Sequence, residues 1–155
     1  MSAPTLEAIL AKMRELADDP ANEIVLAPPI NPGSMTWLKE RFETKLERPL
    51  PPDLAAFLEA TDGAEIKRAG LLAGRGAHGL IDHHLELRTP PGKWTANQIV
   101  IGSVDNHHSY VLDADAGTCH TSELLQPRLY KSFPSFPALL VHILREQLGV
   151  RARGL

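Results

Sequence analysis

Leu6, Ile9, Leu10, Met13 and Leu16 recur at the i, i+3, i+4, i+7 spacing of an amphipathic helix. Thr5 stands where an N-cap is needed, and Glu7 falls in the first turn, where the helix dipole favours an acid. This predicts a helix over residues 5–17, stopped by Asp18-Asp19-Pro20. Residues 18–33 carry Pro20, Pro28, Pro29, Pro32 and Gly33 and read as a link, with an extended piece over 23–27. A second helix is expected to start at Ser34 as cap, with Met35, Leu38, Phe42 and Leu46 on its apolar side. Pro51-Pro52 then opens a third helix, because a first turn needs no N–H groups. Leu54, Phe57 and Leu58 give that helix its buried side, and Asp62-Gly63 closes it.

Beyond Gly63 the period shortens towards two. Short strands are predicted over 64–68 and 70–73, and residues 80–87 fit either a strand or a short helix. The apolar run Ile99-Val100-Ile101 marks a buried strand over 98–104. A hairpin is expected from strands 110–113 and 118–121, with Asp113 to Gly117 supplying the turn chemistry. Ser135 caps a last helix over 135–148, with Phe136, Leu140, Ile143 and Leu144 inward and Gly149 at its end. Helices, then strands, then one helix define an α+β fold. The expected architecture is an antiparallel sheet of about five or six strands, covered on one face by helices. Residues 1–155 read as one domain: helix 5–17, Pro-rich link 18–33, core 34–148 and a mobile basic tail 149–155.

Composition narrows the function. The chain has 155 residues, 43% hydrophobic and 23% charged, which is globular usage. A formal net charge of −3 argues against general nucleic-acid binding, which needs a basic face. A single cysteine, Cys119, forms no internal disulfide and suits a reducing compartment. No apolar run reaches the ~18 residues of a membrane span, and no secretory signal is visible, so a cytoplasmic protein is expected. Charge is uneven: residues 82–123 carry a net −4 and residues 124–155 a net +4. The acidic stretch also holds five of the seven histidines, His83, His84, His107, His108 and His120. An acidic, strand-rich region is either a solvated sheet face or a docking surface for a basic partner. In the second case the contact residues are Asp82, Glu86, Asp105, His107, His108 and Asp115.

Three candidate chemistries compete with docking. Residues 74–79 match G-x-G-x-x-G letter for letter, but no long helix follows and no acid sits ~20 positions on, so they read as a glycine-rich loop. Asp82-His83-His84 and Asp105-Asn106-His107-His108 carry imidazoles that suit a transition metal. A small metal-binding protein or metal-dependent hydrolase would use His83, His84, His107 and His108. Adjacent residues on a strand face opposite ways, so only one of each pair reaches a shared site. Cys119-His120 offers a thiol beside a base, yet the surroundings are acidic where a nucleophilic thiolate needs positive charge. No cofactor is expected.

The order of several short motifs resembles one family. Leu50-Pro51-Pro52-Asp53-Leu54-Ala55-Ala56-Phe57-Leu58 followed by Asp62-Gly63 is similar to the opening of the SUKH superfamily. That fold is shared by a fungal cell-wall-synthesis regulator and many bacterial immunity proteins. Ile99-Val100-Ile101-Gly102, then Tyr110-Val111-Leu112-Asp113 and Gly117, resemble its central strand pair. Ser132-Phe133-Pro134-Ser135-Phe136 with Leu139-Leu140 resemble the start of its closing helix. The likeness spans about residues 34–148. It differs in the loop Asp105-Asn106-His107-His108 and does not reach residues 5–33. The resemblance implies a non-enzymatic interaction module that blocks a cognate toxin domain, a nuclease or deaminase, or a regulatory scaffold of the same fold without a toxin. Histidines near their ordinary pKa of ~6.5 imply weaker binding to a basic partner at pH ~5.5 than at ~7.5. Self-association through a sheet edge or the first helix is left open.

Overall fold

Seven strands in strict sequence order build the sheet of the computed structural model, which describes residues 4–71, 74, 95, 97–105, 108–123 and 129–155. Among these residues the strands are β1 (Ile24–Leu26), β2 (Ala64–Ile66), β3 (Ala69–Leu71), β4 (Gln98–Val104), β5 (His108–Asp113), β6 (Cys119–Glu123) and β7 (Leu129–Phe133). Every neighbouring pair is antiparallel, and strand order across the sheet follows chain order. Helices α1 (Leu6–Ala17), α2 (Pro32–Lys45), α3 (Pro52–Ala60) and α4 (Phe136–Leu148) complete the α+β class. The sheet is wider than expected because β7 was not anticipated. It is an edge strand whose side chains are mostly exposed, so it buries no alternating face and leaves no period-two trace.

Local signals account for the helices. Thr5 Oγ1 accepts a hydrogen bond from the Ala8 N–H at 3.1 Å and caps α1, whose Ile9, Leu10, Met13 and Leu16 are buried. The cap of helix α2 lies three residues before the expected Ser34. Asn31 Oδ1 takes the Ser34 N–H at 2.7 Å, and Pro32 occupies the first turn. Helix α3 opens on Pro52 without a side-chain cap and ends against an extended Thr61, with Gly63 at φ +102° just beyond. The Pro-rich link is held by the end of α3: Ile30 N–H donates to Leu58 O, and Asp62 N–H to Pro28 O. Ser135 Oγ caps α4 through the Ala138 N–H at 3.2 Å.

The core lies between the helices and one face of the sheet. Ile66, Ile99, Ile101, Tyr110, Leu112 and Cys119 join Leu38, Phe42, Phe57, Leu58, Leu140 and Leu144 there. Phe57 meets Phe136 edge-on, ring centroids 5.4 Å apart. Val100 and Val111, paired across β4 and β5, are buried on the opposite face as a separate cluster. Residues Gly149–Ala152 form a 3₁₀ turn, Ala152 is buried, Leu155 lies against the core, and the Leu155 carbonyl accepts from Arg145. No helix among the described residues is long and apolar enough to cross a membrane.

Candidate functional site

Strand β5 has an acidic turn at each end, and the two turns lie on opposite margins of the sheet. Its six residues separate them by roughly 20 Å at ~3.4 Å per residue. At one end, β4 passes into β5 through Asp105, a non-glycine residue at φ +52°. The Asp105 carboxylate accepts the His108 N–H at 3.3 Å and stands 3.5 Å from His108 Nδ1. A β-bulge between Val100 and Gly102 shifts the register so that Val104 lies opposite His108.

A cleft of about 300 Å³ opens here between the sheet and α4. Asp105, His108, Tyr110, Thr121, Tyr130 and Lys131 line it from the sheet side, and His142 and Glu146 from the helix. His142 Nε2 donates to Glu146 Oε2 at 2.9 Å, an i,i+4 pair on α4, and its ring leans on Phe133 at 4.7 Å. Burial and the Lys131 ammonium hold His142 below its ordinary pKa, against the opposing pull of Glu146. Its neutral form is therefore the one the fold prefers. Tyr130 Oη donates to Glu123 Oε1 at 2.6 Å, and its ring meets His108 edge-on at 5.9 Å.

Tyr110 forms the inner end of the cleft. Its side chain is 1% exposed, and its hydroxyl has no hydrogen-bond partner among the described residues. Burial, with the Glu146 and Asp105 carboxylates nearby, pushes its pKa well above the usual phenol value. The hydroxyl stays protonated, a buried donor without an acceptor among the described residues. Such a group typically costs ~1–3 kcal/mol when left unsatisfied.

The turn at the far end of β5 is built differently. Asp113 Oδ1 accepts the N–H groups of Asp115 and Ala116 at 2.9 and 3.0 Å. Burial acts to raise the Asp113 pKa, but these bonds and one from Asn97 outweigh it and hold the carboxyl below its ordinary value. Gly117 takes φ +78°, as the turn requires. Asp115 is gripped by the Arg48 guanidinium, with Nε to Oδ1 at 2.8 Å and a second contact at 3.2 Å.

Of the expected contact residues, Asp105 and His108 therefore come together, and Asp115 lies at the other end in an ion pair. Asp82, Glu86 and His107 lie outside the described residues, as do His83 and His84 of the metal alternative. Among the described residues no group of three or more His, Cys, Asp or Glu side chains is placed to hold a metal ion. Cys119 is fully buried in the core, and burial, with Asp53 adding, pushes its thiol up to about 12. His108 sits opposite Glu123, four residues along β6 from Cys119 and roughly 13 Å away at ~3.4 Å per residue. His120 is engaged elsewhere, with Nδ1 2.9 Å from Ser132 Oγ and Nε2 3.3 Å from Thr118 Oγ1.

Sequence reasoning missed Tyr110, Tyr130, Lys131, His142 and Glu146 as site residues. One signal was available: His142 and Glu146 stand four apart on a predicted helix. That Tyr110 lines the same cleft as these two depends on the packing of α4 against the sheet, which no local pattern encodes. No family model matches the chain, and no curated protein matches it.

Proposed function

We propose that the chain is a non-enzymatic protein-interaction module of the SUKH kind, which binds and neutralises a basic partner such as a nuclease or deaminase toxin domain in the cytoplasm. The observation that carries this reading is the cleft at the β4–β5 end of the sheet, where Asp105 and Glu146 stand with the Tyr130-bound Glu123 beside them. Asp105 is 28% and Glu146 46% exposed, so both carboxylates face an arriving surface while staying anchored by histidines. Acidic groups so placed steer a basic surface and reject an acidic one.

The motif residues behind the family resemblance work as scaffold. Pro52 opens α3, Leu54, Phe57 and Leu58 pack it, and Asp113 with Gly117 shapes a turn. The one thiol is buried and protonated, which suits packing rather than nucleophilic attack.

The test is to co-produce this chain with any toxin domain encoded by a neighbouring gene and to score growth. Rescue, with a purified complex whose association slows and loses salt dependence in Asp105→Lys, supports the reading. Failure of rescue by abundant folded protein removes the immunity role and leaves a scaffold with another partner.

A further inference from the structure

We propose that the cleft between the β4–β5 turn and α4 is a receptor for one arginine side chain of the partner; the assignment rests on the basic-partner reading above. Two independent observations meet there. The first is electrostatic: Asp105 and Glu146 line the cleft, and Lys131 is its one permanent cation among the described lining residues. An anion entering it would face two carboxylates. The second is the buried Tyr110 hydroxyl, which lines the same cleft and lacks a hydrogen-bond partner among the described residues. A hydroxyl has lone pairs as well as a proton, so its oxygen can accept from a guanidinium N–H.

The geometry favours a guanidinium over an ammonium. The acceptors come from separate elements: Asp105 from the turn, Tyr110 from β5 and Glu146 from α4. A planar group with five N–H donors can serve all three, whereas an ammonium is a compact and strongly hydrated point charge. His108 and Tyr130, 5.9 Å apart at the rim, supply ring surface for a guanidinium to lie against. Lys131 opposes the ligand, so the receptor is tuned rather than maximally acidic. The left-handed Asp105 fits the same picture, since backbone held in an uncommon conformation tends to mark places where a side chain must be aimed.

The test is a chemical-shift titration of the full chain with N-acetyl-arginine methylamide and with its lysine and citrulline counterparts. The arginine probe is expected to bind with a dissociation constant on the order of 1–10 mM and to shift resonances of Asp105, His108, Tyr110 and His142. Glu146→Gln and Asp105→Asn should each weaken it by about threefold to tenfold, and asparagine tolerates the left-handed turn position. Tyr110→Phe, which deletes only the hydroxyl, should weaken it several-fold, and Lys131→Ala should strengthen it. Equal binding of the neutral citrulline probe overturns the proposal, as does equal binding of the lysine probe. So do shifts confined to the Asp113–Asp115 turn. Growth rescue without arginine binding would sink the receptor and leave the partner reading. Arginine binding without any effect on rescue would sink the partner reading and leave the receptor.

Discussion

The two turns that bracket β5 share a sign of charge but not a use for it. At the far end, Asp113 accepts two backbone N–H groups of its own turn, and Asp115 accepts the fork of Arg48. Those carboxylates are satisfied by the chain that carries them. At the near end, Asp105 and Glu146 are each held by a histidine and still border an open cleft lined by a buried hydroxyl that has no partner among the described residues. Net charge along the sequence treats the two turns alike. What separates them is where the carboxylates stand, inside their own turn at one end and along a cleft at the other. An acidic stretch becomes a recognition surface only where its carboxylates border open space.

The sharpest way to break the near end alone is Gly102→Ala. Gly102 follows the β4 bulge, and a Cβ there would collide with the Gly70 carbonyl and come within 3.1 Å of Leu71 Cδ2. Backbone cannot step aside as a flexible side chain does, so the expected cost is about 3 kcal/mol in chemical denaturation. Hydrogen exchange should show Ser103 and Ser109 losing protection first, with the Asp113–Gly117 turn retained. Unchanged stability would mean that the bulge does not set the register on which the cleft depends.

The far end answers to Asp113→Ala. Two backbone hydrogen bonds to a carboxylate disappear, and the expected loss is about 1–2 kcal/mol after allowing for exposure. The folded-state pKa lies below the ordinary 3.8, so the unfolded chain binds the proton more readily. The stabilisation is present above pH 3.8 and disappears as pH falls through the folded value. Binding to a basic partner should be unchanged, because the carboxylate is committed inside its own turn.

How far the sequence carried depends on where each signal resides. Thr5, Ser135, Pro52 and Gly117 announce caps, a helix start and a turn because their chemistry is local. Ile99 to Ile101 announces a buried strand because burial on both faces leaves an unbroken apolar run. The exposed β7 gives no such pattern, and the packed tail depends on Ala152 and Leu155 meeting a core that is assembled from distant residues. The site follows the same rule. Asp105 and His108 stand out as neighbours in one acidic segment, whereas Tyr110, Tyr130, His142 and Glu146 join them only through sheet register and the seat of α4.

A smaller effect distinguishes the ends by the direction of its pH dependence near neutrality. His142 is held below its ordinary pKa of 6.5, so folding favours the neutral ring. The unfolded chain takes up its proton first as pH falls, and stability present above 6.5 is lost on the way down to the folded value. The thermal midpoint is therefore expected to decline between pH ~7.5 and ~5.5, a range in which ordinary carboxylates stay ionised. His142→Gln should flatten that decline. A decline of the same slope in the variant would remove His142 as its source and place the titration elsewhere in the chain.

The least perturbing test is the Arg48–Asp115 pair. Asp115 is 58% exposed at its side chain and Arg48 23%, so water screens much of their attraction. A double-mutant cycle on Arg48→Ala and Asp115→Ala should return a coupling of about 0.5 kcal/mol. The further bond that Arg48 donates from Nη1 to the Leu46 carbonyl at 2.7 Å cancels in the cycle and adds only to the cost of Arg48→Ala alone. Asp115→Lys should leave partner association within about twofold of the parent, while Asp105→Lys slows it by an order of magnitude or more. Equal slowing by both substitutions would show that overall negative charge, rather than an open cleft at one end of β5, is what the partner reads.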